Sequence, residues 1–298
     1  MNLPLVVHQL TKRYDVVTAV DGLSFEVHPG EVFGLLGPNG AGKTTTIRIV
    51  MGIYEADEGT VRILGGRPDA VRHRVGYLPE ERGLYRDLQV LDVLTYLGEL
   101  KGMSRGMAAE RSMTLLERFA LAEWAHRPVR DLSRGMQQKV QFAASLVHDP
   151  ELLILDEPFQ GLDPVNVEAI SIQIRELQAQ GKTIVLSAHE MSLVEALCDR
   201  IVLINHGRGV LYGSLAEIKR RYAKDAVRVR ADRSLRGLPG VQAVEEREGV
   251  QIVTLNGCTP QGFLATLVAQ GVSVQAFEVA SMPLQEVFVR VVRGEKGE

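Results

Sequence analysis

An α/β fold with a mostly parallel sheet is predicted for this 298-residue chain, and three observations predict it. Residues Gly37 to Thr44 read G-P-N-G-A-G-K-T, between an apolar strand pattern (Val32 to Leu36) and a helical one (Thr45 to Val50). Further short apolar runs alternate with helical patterns, as the strands of a parallel sheet do. With 45 % hydrophobic residues the chain can bury one large core or two smaller ones.

In chain order, Val6 to Leu10 and Leu23 to Val27 read as strands separated by a polar turn. Pro29-Gly30 then turns the chain into the Val32 strand. Val61 to Leu64 is a strand ending at Gly65-Gly66, and Val75 to Leu78 is one that stops at Pro79. From Val90 to Ala125 the spacing becomes helical: Leu91, Leu94, Leu97 and Leu100 recur at every third residue, and Leu115, Leu116 and Phe119 follow. Leu152 to Leu155 is a buried strand, and Val165 to Gln180 an amphipathic helix ended by Gly181. Thr183 to Leu186 and Ile201 to Ile204 are strands with a helix between them. The composition shifts after Ile218. The basic run Lys219-Arg220-Arg221-Tyr222-Ala223-Lys224 reads as a solvated helix end rather than a lipid-binding patch. Residues 1–218 thus form one domain and residues 225–298 a small α+β module. In the module, Val241 to Glu246 and Val250 to Leu255 form a hairpin around Glu248-Gly249. Thr259 to Gln270 is a helix ended by Gly271, Val272 to Val279 a strand, and Leu284 to Val292 a helix with Pro283 at its first position.

Charged residues make up 24 % of the chain and the formal net charge is −3, so no nucleic-acid partner is expected. Cys198 and Cys258 lack metal-ligand spacing, and a reducing compartment is the simplest reading. No apolar run approaches the ~18 residues of a membrane span, and the N-terminus lacks signal-peptide character. The expectation is a protein that is soluble, or that reaches a membrane only through a partner.

The G-x-x-x-x-G-K-[ST] pattern has a physical mechanism. Glycines at Gly37, Gly40 and Gly42, with the short Asn39 and Ala41, let backbone N–H groups approach a phosphate, and the following helix adds its positive end. Lys43 is predicted to reach the β/γ-phosphates and the Thr44 hydroxyl to sit on Mg²⁺, with Thr45 beside it. Asp156 and Glu157 follow the Leu152 strand directly. Asp156 is the expected Mg²⁺ carboxylate and Glu157 the group that polarises an attacking water. His189, at the end of another strand, is expected to hydrogen-bond the γ-phosphate; a packed core histidine is the bland alternative. No Asp is followed by Gly three places on and no Asn by Lys, which counts against a GTPase.

Leu132-Ser133-Arg134-Gly135-Met136-Gln137-Gln138-Lys139 then resembles the L-S-G-G-Q segment of ATP-binding cassette (ABC) ATPases, a resemblance that covers about Leu5 to Ile218. It implies a P-loop core with a mostly parallel sheet, an antiparallel β subdomain, and a helical subdomain at about residues 86–146. It also implies two copies that face each other, with Ser133 and the Gly135 backbone contacting the partner's ATP. Tyr14 stands where the family stacks an aromatic on adenine, a contact worth roughly 1–3 kcal/mol. Asp163, in Gly161-Leu162-Asp163, stands in the loop that signals between the two sites. Val75 to Glu80 resembles the segment joining the core to the helical subdomain, whose last residue is normally a Mg²⁺-touching glutamine. Three positions depart from the pattern: Glu80 replaces that glutamine, and Arg134 and Met136 replace the first glycine and the glutamine of L-S-G-G-Q. Tyr77-Leu78-Pro79-Glu80-Glu81-Arg82-Gly83-Leu84-Tyr85 and Pro283-Leu284-Gln285-Glu286-Val287-Phe288 are similar to ATPase subunits of sodium-extruding and drug-resistance exporters. This implies a homodimer bound to a separate transmembrane permease, on the cytoplasmic face of the membrane. The alternative is a soluble mechanochemical ABC ATPase of translation or DNA repair. A non-hydrolysing regulator is a third reading, which Glu157 disfavours.

Overall fold

The computed structural model describes residues 3–81, 83–222, 226–247, 249–280 and 282–292. Arg82 of the exporter-like segment, Ala223 and Lys224 of the basic run, Glu248 of the hairpin turn and the last residues of the C-terminal module lie outside the described residues.

The chain divides into two compact units, Met1–Gly213 and Ser214–Glu298. The first opens with strands β1 (Leu5–Tyr14) and β2 (Val17–Val27), followed by β3 (Val32–Leu36), helix α1 (Lys43–Val50) and β4 (Glu58–Ile63). β2, β1 and β4 form an antiparallel sheet in that order. Both hairpin strands are longer than the apolar runs indicate. The stretch Thr11-Lys12-Arg13-Tyr14 is polar, yet it keeps its ladder because one face of the sheet is open to water. The chain then passes through α2 (Pro68–Val71), β5 (Val75–Leu78) and a helical segment of α3 (Val90–Leu100), α4 (Arg105–Arg118) and α5 (Arg134–Leu146). Phe119 and Phe142 pack edge-to-face at 5.8 Å within that segment.

β6 (Leu152–Leu155), α6 (Pro164–Ala179), β7 (Thr183–Ala188), α7 (Met191–Leu197), β8 (Arg200–Asn205) and β9 (Arg208–Ser214) complete the unit. The main sheet runs β5-β6-β7-β3-β8-β9, and β5 through β8 are mutually parallel. β3, β6 and β7 are buried along their whole length, as strands covered on both faces must be. Phe33 stacks on Phe25 of the antiparallel sheet at 5.3 Å, which joins the two sheets into one core. β9 carries only the short apolar run Val210-Leu211-Tyr212 and is an edge strand, exposed at four of its seven positions.

The second unit contains α8 (Leu215–Tyr222), β10 (Ala226–Ala231), β11 (Val241–Arg247), β12 (Val250–Leu255), α9 (Pro260–Ala269), β13 (Val274–Val279) and α10 (Leu284–Val292). Its antiparallel sheet runs β11-β12-β10-β13 around a core of Val227, Val229, Leu235, Val253, Phe263 and Leu267. The sequence places the boundary after Ile218; the compact units divide at Gly213/Ser214, because α8 packs with α10 through its buried Leu215, Ile218 and Tyr222 face. β10 escaped the sequence reading: Arg228 and Arg230 interrupt its apolar residues, although the alternation is that of a half-buried strand. Pro283 caps α10 rather than opening it, since its carbonyl accepts from the N–H groups of Glu286 and Val287.

Candidate nucleotide site

The strand order β6-β7-β3 puts the C-terminal ends of three parallel strands side by side. The phosphate loop leaves β3, Asp156 and Glu157 leave β6, and His189 leaves β7. Three segments far apart in sequence therefore meet at one sheet edge, where open α/β sheets bind ligands.

The loop is shaped by close backbone approach. A Cβ on Gly37 would lie 2.3 Å from the Ile204 carbonyl, and one on Gly42 2.3 Å from the Ala19 carbonyl; both have positive φ, +153° and +105°. Only glycine fits at either place. Gly42 is the N-cap of α1, with no side chain satisfying the first N–H groups of that helix. Asn39, Gly40, Ala41, Gly42, Lys43, Thr44 and Thr45 line a cavity of about 230 Å³, together with Ala19, Glu80, Glu157 and Gln160.

Within it, the buried Lys43 ammonium donates to the carbonyls of Gly37 (2.8 Å) and Pro38 (3.3 Å) and pairs with Glu157 at 3.3 Å. His189 Nδ1 stands 2.9 Å from the other Glu157 oxygen, and its side chain is 41 % exposed, so it is not a packed core histidine. Glu157 adopts φ +48°, a left-handed backbone that is uncommon for a non-glycine residue. The Thr44 hydroxyl is 3.4 Å from Asp156 Oδ1 and 3.4 Å from Glu80 Oε2. Asp156 is fully buried, and burial pushes its carboxyl above the usual range against the hydrogen bonds from Ser187 and Thr44; the neighbouring Glu80 and Glu157 charges push the same way. Its Oδ2 has no hydrogen-bond partner.

Three polar residues that sequence reasoning missed hold this arrangement. Ser187 accepts from the Glu157 N–H (2.9 Å) and donates to Asp156 Oδ1 (2.6 Å). Gln160 Nε2 is 3.4 Å from Glu80 Oε1. Gln141 Nε2 donates to the carbonyls of Pro79 and Glu81, 3.1 Å each. A hydroxyl directly after the apolar Ile184-Val185-Leu186 run was the one available signal, for Ser187.

Gly37, Asp156 and His189 touch the lining residues Lys43, Thr44 and Glu157 without lining the cavity themselves, and the remaining predicted residues also lie outside its lining. Ser133 is the N-cap of α5, accepting from the Met136 N–H at 3.3 Å. Gly135 is buried where a Cβ would sit 2.4 Å from Asn166 Nδ2. Asp163 caps α6 through the Asn166 N–H at 3.0 Å and also accepts from its side-chain amide. Tyr14 is half-exposed at the end of β1, with Tyr54 edge-on at 6.4 Å and the Lys12 ammonium 5.6 Å over its ring.

Residues 20–160 match the family described as ABC transporter. The "Uncharacterized ABC transporter ATP-binding protein YhaQ" of Bacillus subtilis (strain 168) is 40 % identical over 294 residues, 97 % of this chain and 98 % of that protein. The chain belongs to the ABC transporter family. It is an ATP-binding cassette, with the P-loop ATPase fold and ATPase activity that the family carries. Residues 213–292 of the cassette match the C-terminal domain described as ATP-binding protein DrrA1-3-like. The "Nod factor export ATP-binding protein I" of Ralstonia nicotianae is 38 % identical, covering 98 % of the cassette and 94 % of that protein. A structure titled "Structure of ATP binding subunit of ABC transporter" superposes with TM-score 0.68 at 34 % identity, covering 73 % of the cassette and 92 % of that chain. The exporter-type resemblance read from the sequence is borne out by these relatives, and they give no support to the translation or repair alternative. No helix among the described residues is long and apolar enough to cross a membrane.

Proposed function

We propose that this cassette powers export by closing with a second copy of itself around two ATP molecules and opening again when they are hydrolysed. The observation that carries this reading is the convergence of Lys43 and Thr44, at the start of α1, with Asp156 and Glu157, directly after β6: Lys43 pairs with Glu157, the Thr44 hydroxyl meets Asp156, and all but the buried Asp156 line one cavity. Lys43 is held by two loop carbonyls and by Glu157, partners it would exchange for β/γ-phosphate oxygens. Release from Lys43 frees Glu157 to polarise a water, while His189 orients the Glu157 carboxylate and can reach the γ-phosphate through its other nitrogen.

The unpartnered, buried Oδ2 of Asp156 beside the Thr44 hydroxyl fits a divalent cation, and Thr44, Asp156 and Glu80 would hold it. When bound, Mg²⁺ neutralises charge on the phosphate oxygens.

Each copy supplies half of a closed site. Ser133, the Gly135 backbone and the N-terminus of α5 would face the partner's γ-phosphate, with Asp163 touching the opposite copy and Tyr14 stacking on adenine. Arg134 stands in the first turn of α5, where a cation is unfavourable until an anion arrives. A groove of about 370 Å³ lined by Ile53, Tyr77, Leu84, Leu97 and Leu100 would receive a cytoplasmic helix of a separate permease, placing the cassette peripherally on the inner membrane face. Relatives named for Nod factor export and linearmycin resistance support the outward direction.

The test is Glu157→Gln. With ATP and Mg²⁺ it should sediment as a stable dimer and hydrolyse ATP on the order of 10²–10⁴-fold more slowly than the parent. Parental turnover, or a monomer with ATP fully bound, overturns the reading.

A further inference from the structure

Glu80 is the cavity residue whose charge the family pattern does not require, and the structure gives it a defined place. Gln141 grips the carbonyls on both sides of it, those of Pro79 and Glu81. Gln160 bonds one of its side-chain oxygens, and the other points to the Thr44 hydroxyl. Asp156 reaches that same hydroxyl with one oxygen, while its second oxygen is buried without a partner. Two carboxylates and a hydroxyl thus converge, and Lys43 is already engaged by Glu157 and two carbonyls. Among the described residues no cation pairs with Glu80 or Asp156, and opposite charges attract strongly where water is partly excluded.

We propose that Glu80 makes the metal site competent before nucleotide arrives: the nucleotide-free cassette loads a divalent cation on Glu80, Asp156 and Thr44, and ATP then binds onto the charged metal. A neutral glutamine at position 80 would leave a single carboxylate, and the metal would enter chiefly with the nucleotide. Gln160 is a positioning residue that keeps one Glu80 oxygen turned toward Thr44. Without metal the same carboxylate repels the triphosphate, so nucleotide binding becomes strongly dependent on the divalent cation. This inference rests on the nucleotide-site reading above and deepens it.

The experiment titrates Mn²⁺ into the nucleotide-free full chain and reads free Mn²⁺ by electron paramagnetic resonance. The parent, Glu80→Gln, Asp156→Asn and Gln160→Ala are compared, with circular dichroism to verify folding. One Mn²⁺ per chain is expected for the parent, with affinity at least about tenfold weaker in Glu80→Gln and a smaller loss in Gln160→Ala. In EDTA, Glu80→Gln should bind ATP several-fold more tightly than the parent, as removal of one repelling charge requires. Parental Mn²⁺ affinity in Glu80→Gln overturns the inference. If Asp156→Asn loses the metal while Glu80→Gln keeps it, the nucleotide site stands and only the role of Glu80 falls. If neither variant weakens Mn²⁺, the metal-site assignment itself falls. Should Asp156→Asn fail to fold, Thr44→Val serves as the same control.

Discussion

Ser187 shows how much a single buried hydroxyl can decide. It is fully buried and bonds both acids of the site, holding the left-handed backbone of Glu157 and one oxygen of Asp156. Ser187→Ala leaves an N–H and a carboxylate oxygen short of a partner and should lower stability by about 1–3 kcal/mol. It should also lower kcat more than it raises KM, because Glu157 loses its fixed orientation while the phosphate loop is untouched. Denaturant unfolding and steady-state kinetics read the two effects; unchanged values in both would mean that the bridge is dispensable. His148 is the titrating counterpart. It donates through Nε2 to the Val75 carbonyl, and burial pushes its pKa down to about 4, with Lys101 adding to the effect. Since the folded value lies below the ordinary 6.5, the unfolded chain takes the proton first. Stability is therefore full above pH ~6.5 and falls as the pH drops toward 4, by a loss on the order of 3 kcal/mol. His148→Gln should flatten the fall in melting temperature over that window, and an unchanged slope would assign the pH dependence to other groups.

At the scale of elements, α5 and α6 meet where glycine is the one residue that fits. The Asn166 side-chain amide donates to Asp163, so moving it away from a Cβ placed on Gly135 would cost that hydrogen bond. Gly135→Ala should destabilise the cassette by about 1–3 kcal/mol through overpacking. Adding Asn166→Ala should return most of that loss, and thermal unfolding of the two singles and the double closes the cycle. Additive losses would show that the contact is not the cause.

At the scale of the whole molecule, each of the two units has its own core. All the residues assigned to the nucleotide site, from Tyr14 to His189, lie in the first unit. A chain ending at Gly213 should therefore keep the ATP affinity of the parent, measured by equilibrium binding with Mg²⁺ present. Loss of binding in a folded truncation would give residues 214–292 a part in the nucleotide site.

The sequence by itself determined the parts whose physics is local. G-P-N-G-A-G-K-T between a strand and a helix declares a phosphate loop, because glycine and lysine at those spacings serve one neighbourhood. Asp156-Glu157 could be read for the same reason, directly after four apolar residues. Gln141 and Gln160 could not, since each acts on a residue 60 to 80 positions away and nothing in its own surroundings marks it; Ser187, 30 positions from Glu157, showed only as a hydroxyl after Ile184-Val185-Leu186. The edge strand β9 and the interrupted strand β10 were hidden because their pairing comes from neighbours rather than from their own apolar content. The tertiary structure alone decided that Glu80 and Asp156 meet at Thr44, because long-range strand order, not spacing along the chain, sets which carboxylates share a cation.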